Sequence, residues 1–393
     1  MPIGVYISVP FCRTKCTYCN FASDVFSKTV FDRYIDRVCA DIENAAPTAA
    51  LIGGQFQRDV DSIYLGGGTP TILDITQLRR LFVTISQNFN VQAGAEVTVE
   101  CAPGTLTPPL LEMLQECGVN RVSLGVQSFA DKEAASVGRL HKRETVLAEI
   151  ARLRAAGIGN INVDLIAGLP HQTAESWAFS LQQTIASQAP HVSVYMLEVD
   201  EESRLGRELI AGGTRYHAHF VPDEDLTADL YLMACERLEQ AGVRQYEISN
   251  FARSGAESRH NLKYWTRQPY LGFGVDAHSM LRGRDGTNEA VRFSTSDVLD
   301  EFTAGAPLRR AGVDARAAME ESFFLGLRLN RGVDISNIAV QFGGEATINL
   351  PPTLQDLEQA GLLERSEDRI RLTPRGRLLS NEVFERFLSV AAL

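Results

Sequence analysis

Long apolar runs and an excess of positive charge are both missing from this sequence. No apolar stretch approaches the ~20 residues that a transmembrane helix requires, and the N-terminus lacks the basic and apolar segments of a signal peptide. The chain carries 38 Lys and Arg against 49 Asp and Glu, a net charge of −11, which argues against a nucleic-acid binder that depends on phosphate neutralisation. We therefore expect no transmembrane segment, no nucleic-acid partner and a cytoplasmic location, which is compatible with peripheral contact at a membrane.

Cysteine is scarce and unevenly placed. The chain has seven cysteines, an odd number, and three of them fall within residues 12–19. The other four are scattered in apolar surroundings, at Cys39, Cys101, Cys117 and Cys235. This pattern predicts reduced, buried thiols rather than a disulfide framework, and it supports the cytoplasmic location.

The clustered cysteines Cys12, Cys16 and Cys19 have the spacing C-x-x-x-C-x-x-C on a turn after an extended segment. Iron–sulfur cubanes are held by cysteine thiolates, commonly four, so three thiolates would leave one iron open to bind a small molecule. Two alternatives stay open. A structural zinc site would need a fourth cysteine or histidine, and none lies between Cys19 and Cys39. Three metal-free thiols are also compatible with a reduced cytosolic protein.

Residues 5 to about 250 alternate short β-branched runs with amphipathic stretches. Apolar residues at helical spacing predict helices over Val30–Asn44 and Glu144–Ala156. The alternation predicts an α/β fold with a parallel sheet covered by helices, but it does not separate an open doubly wound sheet from a barrel. The predicted strands are Val5–Val9, Ser62–Leu65, Glu96–Glu100, Arg121–Gly125, Ile161–Ile166, Val192–Leu197 and Gln245–Ile248.

The remainder of the chain divides into two further parts. Residues 251–309 form a predicted connecting segment of loops and short elements, after a first domain of residues 1–250. From residue 310 to 393, helices and a two-stranded ribbon predict a helical, winged-helix-like accessory domain. That motif raises a DNA-binding interpretation, but residues 310–393 carry 10 basic against 12 acidic residues, so we favour a domain that packs against the first.

Polar residues recur where the predicted strands end. The glycine run after Tyr64-Leu65 can bring backbone N–H groups close to a ligand, and four polar side chains follow at the ends of later strands or just beyond them. Internal hydrogen bonding at the rim would explain each residue alone. Their recurrence favours shared ligand contact, with carboxylates suited to ribose hydroxyls and amines, and arginine to a carboxylate. The four side chains belong to Glu100, Gln127, Arg139 and Asp164.

The cysteine triplet followed by this glycine run resembles the radical S-adenosylmethionine (SAM) superfamily. The resemblance implies a partial (β/α)6 barrel and a [4Fe–4S] cluster on Cys12, Cys16 and Cys19, with SAM bound at the open iron. The SAM contacts that it implies are Tyr6, Tyr18, Gly67, Gly68, Thr69, Glu100, Gln127, Arg139 and Asp164.

More extended motifs resemble the oxygen-independent coproporphyrinogen III oxidase group, and within it the HemW-like haem chaperones. These motifs are Leu124–Phe129, Gly138–His141, Asp164–Pro170 and Tyr246–Asn250. Decarboxylases of the group typically have a fourth cysteine where this chain has Phe21, and a long extension before the triplet. Residues 259–265 contain the H-N-x-x-Y-W motif that is associated with haem binding in the chaperones. The resemblance therefore implies that His260 ligates haem, with His278 as a second histidine able to serve the same pocket. The alternative is that the aromatic residues of the motif pack the barrel mouth and His260 bonds to a backbone group.

Three functional hypotheses follow from the resemblance. The first is a carrier that binds haem and delivers it to haem-dependent apoproteins such as respiratory enzymes, with an electron donor for the cluster. The second is an enzyme that decarboxylates coproporphyrinogen III, and the third is a related radical-SAM methyltransferase. Ser8, Ala102 and Asp276 depart from the residues usual in relatives, and Ser8 replaces a histidine that neighbours the cluster loop.

Overall fold

The computed structural model describes residues 1–198, 200–284, 286, 289–343 and 350–388. Its strands are β1 (Ile3–Val9), β2 (Asp59–Gly67), β3 (Asn90–Cys101), β4 (Arg121–Gln127), β5 (Asn160–Ala167), β6 (His191–Met196), β7 (Arg244–Gln245), β8 (Asn250–Ala252), β9 (Tyr270–Gly274), β10 (His278–Arg282), β11 (Ala290–Ser294), β12 (Arg309–Val313), β13 (Val333–Asp334), β14 (Leu363–Ser366) and β15 (Arg369–Leu372).

Its α-helices alternate with the first six strands and then cluster toward the C-terminus. They are α1 (Phe31–Glu43), α2 (Ala45–Leu51), α3 (Ile75–Asn88), α4 (Pro108–Glu116), α5 (Asp131–Ser136), α6 (Arg143–Ala155), α7 (Ala174–Ala186), α8 (Arg204–Ile210), α9 (Glu224–Gln240), α10 (Arg259–Trp265), α11 (Leu299–Ala304), α12 (Ala315–Leu327), α13 (Ile335–Phe342), α14 (Leu350–Gln359), α15 (Pro374–Leu378) and α16 (Ser380–Glu385).

Strands β1 to β6 lie side by side in chain order, and each adjacent pair is parallel. Helices α1, α3, α4, α6 and α7 fall in the connections between them, as parallel pairing requires. This is the partial barrel with six βα steps, so the predicted fold class is confirmed. Five of the first six predicted strands match an observed strand to within about three residues at either end, and β3 begins six residues before the predicted start at Glu96.

The two faces of these strands have different chemistry, because side chains alternate along a strand. In β5, Val163 and Leu165 are fully buried within the large hydrophobic core. Their neighbours Asn162 and Asp164 instead line the cavity enclosed by the sheet. The barrel therefore has an apolar exterior under its helices and a polar interior.

The predicted connecting segment of loops and short elements, residues 251–309, contains strands that the sequence analysis did not identify. Strand β9 pairs in parallel with β1, and β10, β11 and β12 continue the same sheet in antiparallel order. Across the described residues the sheet holds twelve strands, running β12-β11-β10-β9-β1-β2-β3-β4-β5-β6-β8-β7. The segment thus extends one edge of the barrel sheet.

A smaller module follows, with its own hydrophobic core around Phe323, Leu327, Ile370 and Val383. Its antiparallel sheet has the order β13-β15-β14, so the predicted ribbon is present and gains a third, two-residue strand. The predicted domain boundaries at 250/251 and 309/310 remain a prediction. Among the helices of the described ranges, none is long and apolar enough to cross a membrane.

Candidate functional site

A cavity of about 470 Å³ opens where the barrel strands end. It brings together eleven of the thirteen residues that the sequence singled out, all of which line its wall: Cys12, Cys16, Tyr18, Cys19, Gly67, Gly68, Thr69, Glu100, Gln127, Arg139 and Asp164. Tyr6 lines a second, adjoining cavity of about 330 Å³. His260 lines neither cavity, so the structure separates it from the other predicted residues.

The cysteine loop is held by backbone hydrogen bonds to the end of β2. The amides of Gly68 and Thr69 donate to the carbonyls of Val9 and Phe11, each over 2.8 Å. At the base of the loop, the Cys12 amide donates to the Asp24 carbonyl over 3.0 Å. These bonds fix where the loop leaves β1, so its three thiols face the cavity.

Burial disfavours the charged form of two of the three cysteines in the triplet, Cys12 and Cys19. Desolvation raises the pKa of Cys12 and of Cys19, and neighbouring cysteines raise both further. A thiol with a raised pKa needs a bound metal to hold it as a thiolate. In a cubane each thiolate binds its own iron, and three cysteine thiols that line one cavity fit that arrangement. No three-ligand site for a single ion is found among the described residues.

Two carboxylates project into the cavity from neighbouring parts of the barrel. Glu100 accepts hydrogen bonds from the Tyr64 hydroxyl over 2.8 Å and from the Gly67 amide over 3.2 Å. Burial raises its pKa to about 7. Asp164 accepts from Ser123 Oγ over 2.9 Å and from Asn162 Nδ2 over 2.7 Å, and burial raises its pKa as well. Each carboxylate keeps capacity to accept from a ligand hydroxyl or amine.

Two further side chains in the cavity have polar atoms without a protein partner. Arg139 Nε and Gln127 Oε1 are both buried and form no hydrogen bond. Gly125 leaves room for the arginine, since a Cβ there would lie 2.3 Å from Arg139 Nη2. Buried polar groups are nearly always satisfied, so these atoms point to a bound ligand. A guanidinium beside carboxylates suits an amino acid with its carboxylate and ammonium, which is the chemistry of the methionine part of SAM.

The haem-type motif lies on α10, which packs against β2 and is hydrogen-bonded to Glu96 of β3. Glu96 accepts hydrogen bonds from the amides of Arg259 and His260, over 3.1 and 3.0 Å. The His260 ring is 1% exposed; Ser62 Oγ lies 3.0 Å from Nδ1, and Tyr264 Oη lies 2.8 Å from Nε2. Burial lowers its pKa to about 3. His260 is thus a neutral ring with both nitrogens engaged, and its ligation of haem remains a prediction.

Sequence reasoning missed the polar floor of the large cavity. Arg121, 2% exposed, donates to Asn160 Oδ1 over 3.1 Å, and its Nε has no partner. Asn162 links Ser123 and Ser193 by hydrogen bonds of 2.8 and 3.0 Å. A signal for them was present in the sequence. Polar residues two positions apart on one strand point to the same face of the sheet, as do Arg121 and Ser123 on β4 and Asn162 and Asp164 on β5.

Family comparisons agree with this architecture. The Radical SAM superfamily matches residues 6–183, and the HemN C-terminal domain matches residues 313–379. The chain is 36% identical to the heme chaperone HemW of Bacillus subtilis, with 98% of this chain and 99% of that protein covered. The chain belongs to the HemW family of radical SAM proteins.

A second HemW protein and the solved structure of a related enzyme are also similar to this chain. The heme chaperone HemW of Lactococcus lactis is 31% identical, with 98% of this chain and 97% of that protein covered. The solved structure of coproporphyrinogen III oxidase (HemN) from Escherichia coli, a radical SAM enzyme, superimposes with a TM-score of 0.83 at 26% identity. It covers 99% of this chain and 90% of that one. Membership of the radical SAM superfamily carries with it the [4Fe–4S] cluster and SAM as expected cofactors.

Proposed function

We propose that this protein is a haem chaperone with a [4Fe–4S] cluster and SAM. The observation that carries the proposal is the match, over 98% of the chain, to relatives named heme chaperone HemW. The residue two positions after the triplet supports it, because Phe21 is 63% exposed where the decarboxylases have a further cysteine. An exposed ring at the cavity rim suits contact with a flat apolar ligand.

Cys12, Cys16 and Cys19 would hold the cluster, and the other lining residues would hold SAM. When bound, cluster and cofactor together supply one-electron radical chemistry. Arg139 would bind the carboxylate of the methionine part, while Glu100 and Asp164 would accept from its ammonium or from ribose hydroxyls. Tyr6, Tyr18, Gly67, Gly68, Thr69 and Gln127 complete the proposed set. The protein's own contribution is to orient SAM and to exclude water from the cavity.

The proposed partners are haem, haem-accepting apoproteins such as respiratory enzymes, and an electron donor that reduces the cluster. We place this exchange in the cytoplasm. The competing function is decarboxylation of coproporphyrinogen III, which the likeness to HemN supports. A methyl-transferring enzyme of the same superfamily is the third candidate.

One anaerobic turnover experiment separates these functions. Reconstituted protein is incubated with coproporphyrinogen III, SAM and a reductant, and protoporphyrinogen and 5′-deoxyadenosine are measured together. The chaperone proposal predicts no porphyrin product although the cluster is intact. Stoichiometric formation of both products would instead establish the decarboxylase, and a methylated product would indicate the third function.

A second measurement tests delivery directly. Protein loaded with haem is mixed with an apo-cytochrome or another haem-free acceptor, and the acceptor's own haem absorbance is followed. Transfer faster than from free haem or from haem-loaded albumin supports a chaperone. Transfer at the rate of spontaneous haem release would contradict it.

We expect the affinity for SAM to fall as the pH drops through about 7, because burial raises the pKa of Glu100 to about that value. Above this pH Glu100 is a carboxylate and attracts the cationic cofactor; below it the side chain becomes a neutral acid and that attraction is lost. At its steepest, the affinity for SAM should fall by about tenfold per pH unit, because one proton on Glu100 competes with one bound SAM.

Calorimetric titration of SAM into the reconstituted protein between about pH 6 and about pH 8 measures this dependence. Glu100→Gln is the matched control, because it removes the titrating group and leaves the titration of SAM itself unchanged. The variant should bind more weakly, with a flatter profile than the wild type. Identical pH profiles for the two proteins would show that Glu100 does not titrate in the binding range.

A further inference from the structure

The seven histidines differ sharply in whether a ring nitrogen is free to bind iron. His191 and His260 are buried, and both nitrogens of each ring lie within 3.0 Å of a polar partner. His141 Nε2 lies 3.1 Å from the Val126 carbonyl, in a half-buried position. His171 and His217 face each other across 3.2 Å, away from both cavities.

His278 is different, because it stands at the edge of a cavity. It is the first residue of β10, its side chain is 68% exposed, and it lines the cavity of about 330 Å³. Its nearest charged neighbour is Asp276, whose Oδ1 lies 3.6 Å from Nε2, beyond hydrogen-bond distance. Within the described part of the chain, the ring forms no hydrogen bond that would have to break before it could bind a metal.

Aromatic and apolar side chains make up much of the remaining cavity wall, and Tyr6, Gly67 and Glu100 of the proposed SAM site form its side nearest the large cavity, so haem and SAM would be neighbours. Phe21 and Pro10 line it beside the cysteine loop, and Tyr264 and Tyr270 line it from α10 and β9. The two tyrosine rings meet edge to face, with centroids 4.6 Å apart. The cavity of about 330 Å³ is smaller than a whole haem, so part of the macrocycle would lie outside it, against the exposed Phe21 ring.

Tyr264 connects this cavity to the haem-type motif. Its hydroxyl lies 2.8 Å from His260 Nε2 on one side, while its side chain lines the cavity on the other. Of this motif, Tyr264 lines the cavity, and His260 holds the Tyr264 hydroxyl in place by a hydrogen bond. Haem affinity can depend on the motif in this way without a bond between His260 and iron.

We propose that His278 is the axial ligand of haem in this cavity, and that Phe21 and Tyr264 pack against the macrocycle. This inference rests on the proposed haem chaperone function and deepens it. The bond forms from a lone pair of the neutral imidazole to the iron and displaces a water ligand, so no electron is transferred. Asp276 lies close enough to neutralise part of the positive charge on ferric haem.

The first test is a titration of ferric haem into the full-length protein, followed by Soret absorbance. We expect His278→Ala to weaken binding by about tenfold or more and to lose the spectrum of imidazole-ligated haem. His219→Ala is the matched control, since His219 is an exposed histidine that lines neither cavity. His260→Ala should weaken binding while keeping the imidazole-type spectrum.

The second test uses the absorbance spectrum of the haem ligand, which a side chain that only packs against haem would not change. His278→Cys should convert the spectrum to that of thiolate-ligated haem, whereas His219→Cys should leave it unchanged. Phe21→Ala should weaken binding without changing the ligand signature. These variants keep the assignment testable even if His278→Ala folds poorly.

The outcomes separate the ligand assignment from the function. If the wild type binds haem and His278→Ala keeps the wild-type affinity and spectrum, the assignment is overturned and the chaperone proposal stands. If His260→Ala alone loses the imidazole signature, the ligand is His260. If the wild type binds no haem, the proposed function fails and the ligand assignment fails with it.

Discussion

Replacing Cys16 with alanine is expected to abolish the iron–sulfur centre. Wild-type protein reconstituted anaerobically should hold about four irons per chain, and Cys16→Ala should hold almost none. The triplet supplies only three thiolates, so the loss of one leaves two irons of a cubane without a protein ligand. Cys16 is 9% exposed, and exchange of a small thiol for a methyl group should leave the fold intact. Iron content, visible absorbance and thermal melting measure these effects together.

A cysteine outside the triplet provides the control. Cys117 is half-buried at the C-terminal end of α4 and lines neither cavity. Cys117→Ala should keep the wild-type iron content. Equal iron loss in both variants would mean that the loss comes from general destabilisation, and full iron retention in Cys16→Ala would remove this thiol from the ligand set.

The location of the large cavity was predictable because it follows from topology. In a parallel sheet the carboxyl ends of all strands lie at one edge, so residues distant in sequence must meet there. Glu100 at the carboxyl end of β3 and Asp164 in β5 were identified on this basis, and both line the cavity. Which hydrogen bonds they form was not predictable, since the partners Tyr64 and Ser123 belong to neighbouring strands.

The strands between residues 250 and 313 were missed because their sequence signal is weak. Strand β9 has the sequence Tyr-Leu-Gly-Phe-Gly, and glycine lowers strand propensity. The structure requires both glycines. A Cβ on Gly272 would lie 2.2 Å from the His278 carbonyl oxygen, and Gly274 has a φ of +106°. Gly272 and Gly274 thus lower the strand propensity of β9, and they also allow it to pair closely with β1 and β10.

The position of His260 could not be derived from its motif. Its ring and its helix are fixed by Ser62 and Glu96, which are 198 and 164 residues away along the chain. A motif identifies residue types and their spacing, whereas the direction in which a side chain points depends on such distant partners. His278, which the sequence offered only as a second histidine, is placed at a cavity by the sheet that β9 and β10 extend.

Ser8, one of the departures from the family pattern, lies beside the glycine run. Its backbone carbonyl accepts a hydrogen bond from the Tyr34 hydroxyl, and its Oγ would lie 3.0 Å from a Cβ on Gly67. Ser8 also lines the smaller cavity. A histidine at this position would project into the space that we assign to haem, so the smaller side chain is compatible with a bound macrocycle.

Replacing Gly68 with alanine is expected to displace the cysteine loop and to impair both cofactor sites. A Cβ at this position would lie 2.7 Å from the carbonyl oxygens of Val9 and Phe11, and 3.0 Å from the Phe11 amide nitrogen. All three are backbone atoms of the segment that leads into the triplet, so no side-chain rotation relieves the clash. The end of β2 and the segment from Val9 to Phe11 must instead move apart, which breaks the 2.8 Å hydrogen bond from the Gly68 amide to the Val9 carbonyl.

The cost of such overpacking is about 1–3 kcal/mol of folding stability. The functional loss should be larger, because a displacement of about 1 Å in a site can cost about 100-fold. We expect SAM affinity to fall by roughly that factor and cluster occupancy to fall with it, as measured by calorimetry and iron content. Gly159→Ala is the control, since its Cβ would meet no atom within 4 Å. Wild-type SAM affinity in Gly68→Ala would mean that the cofactor does not depend on this contact between β2 and the cysteine loop.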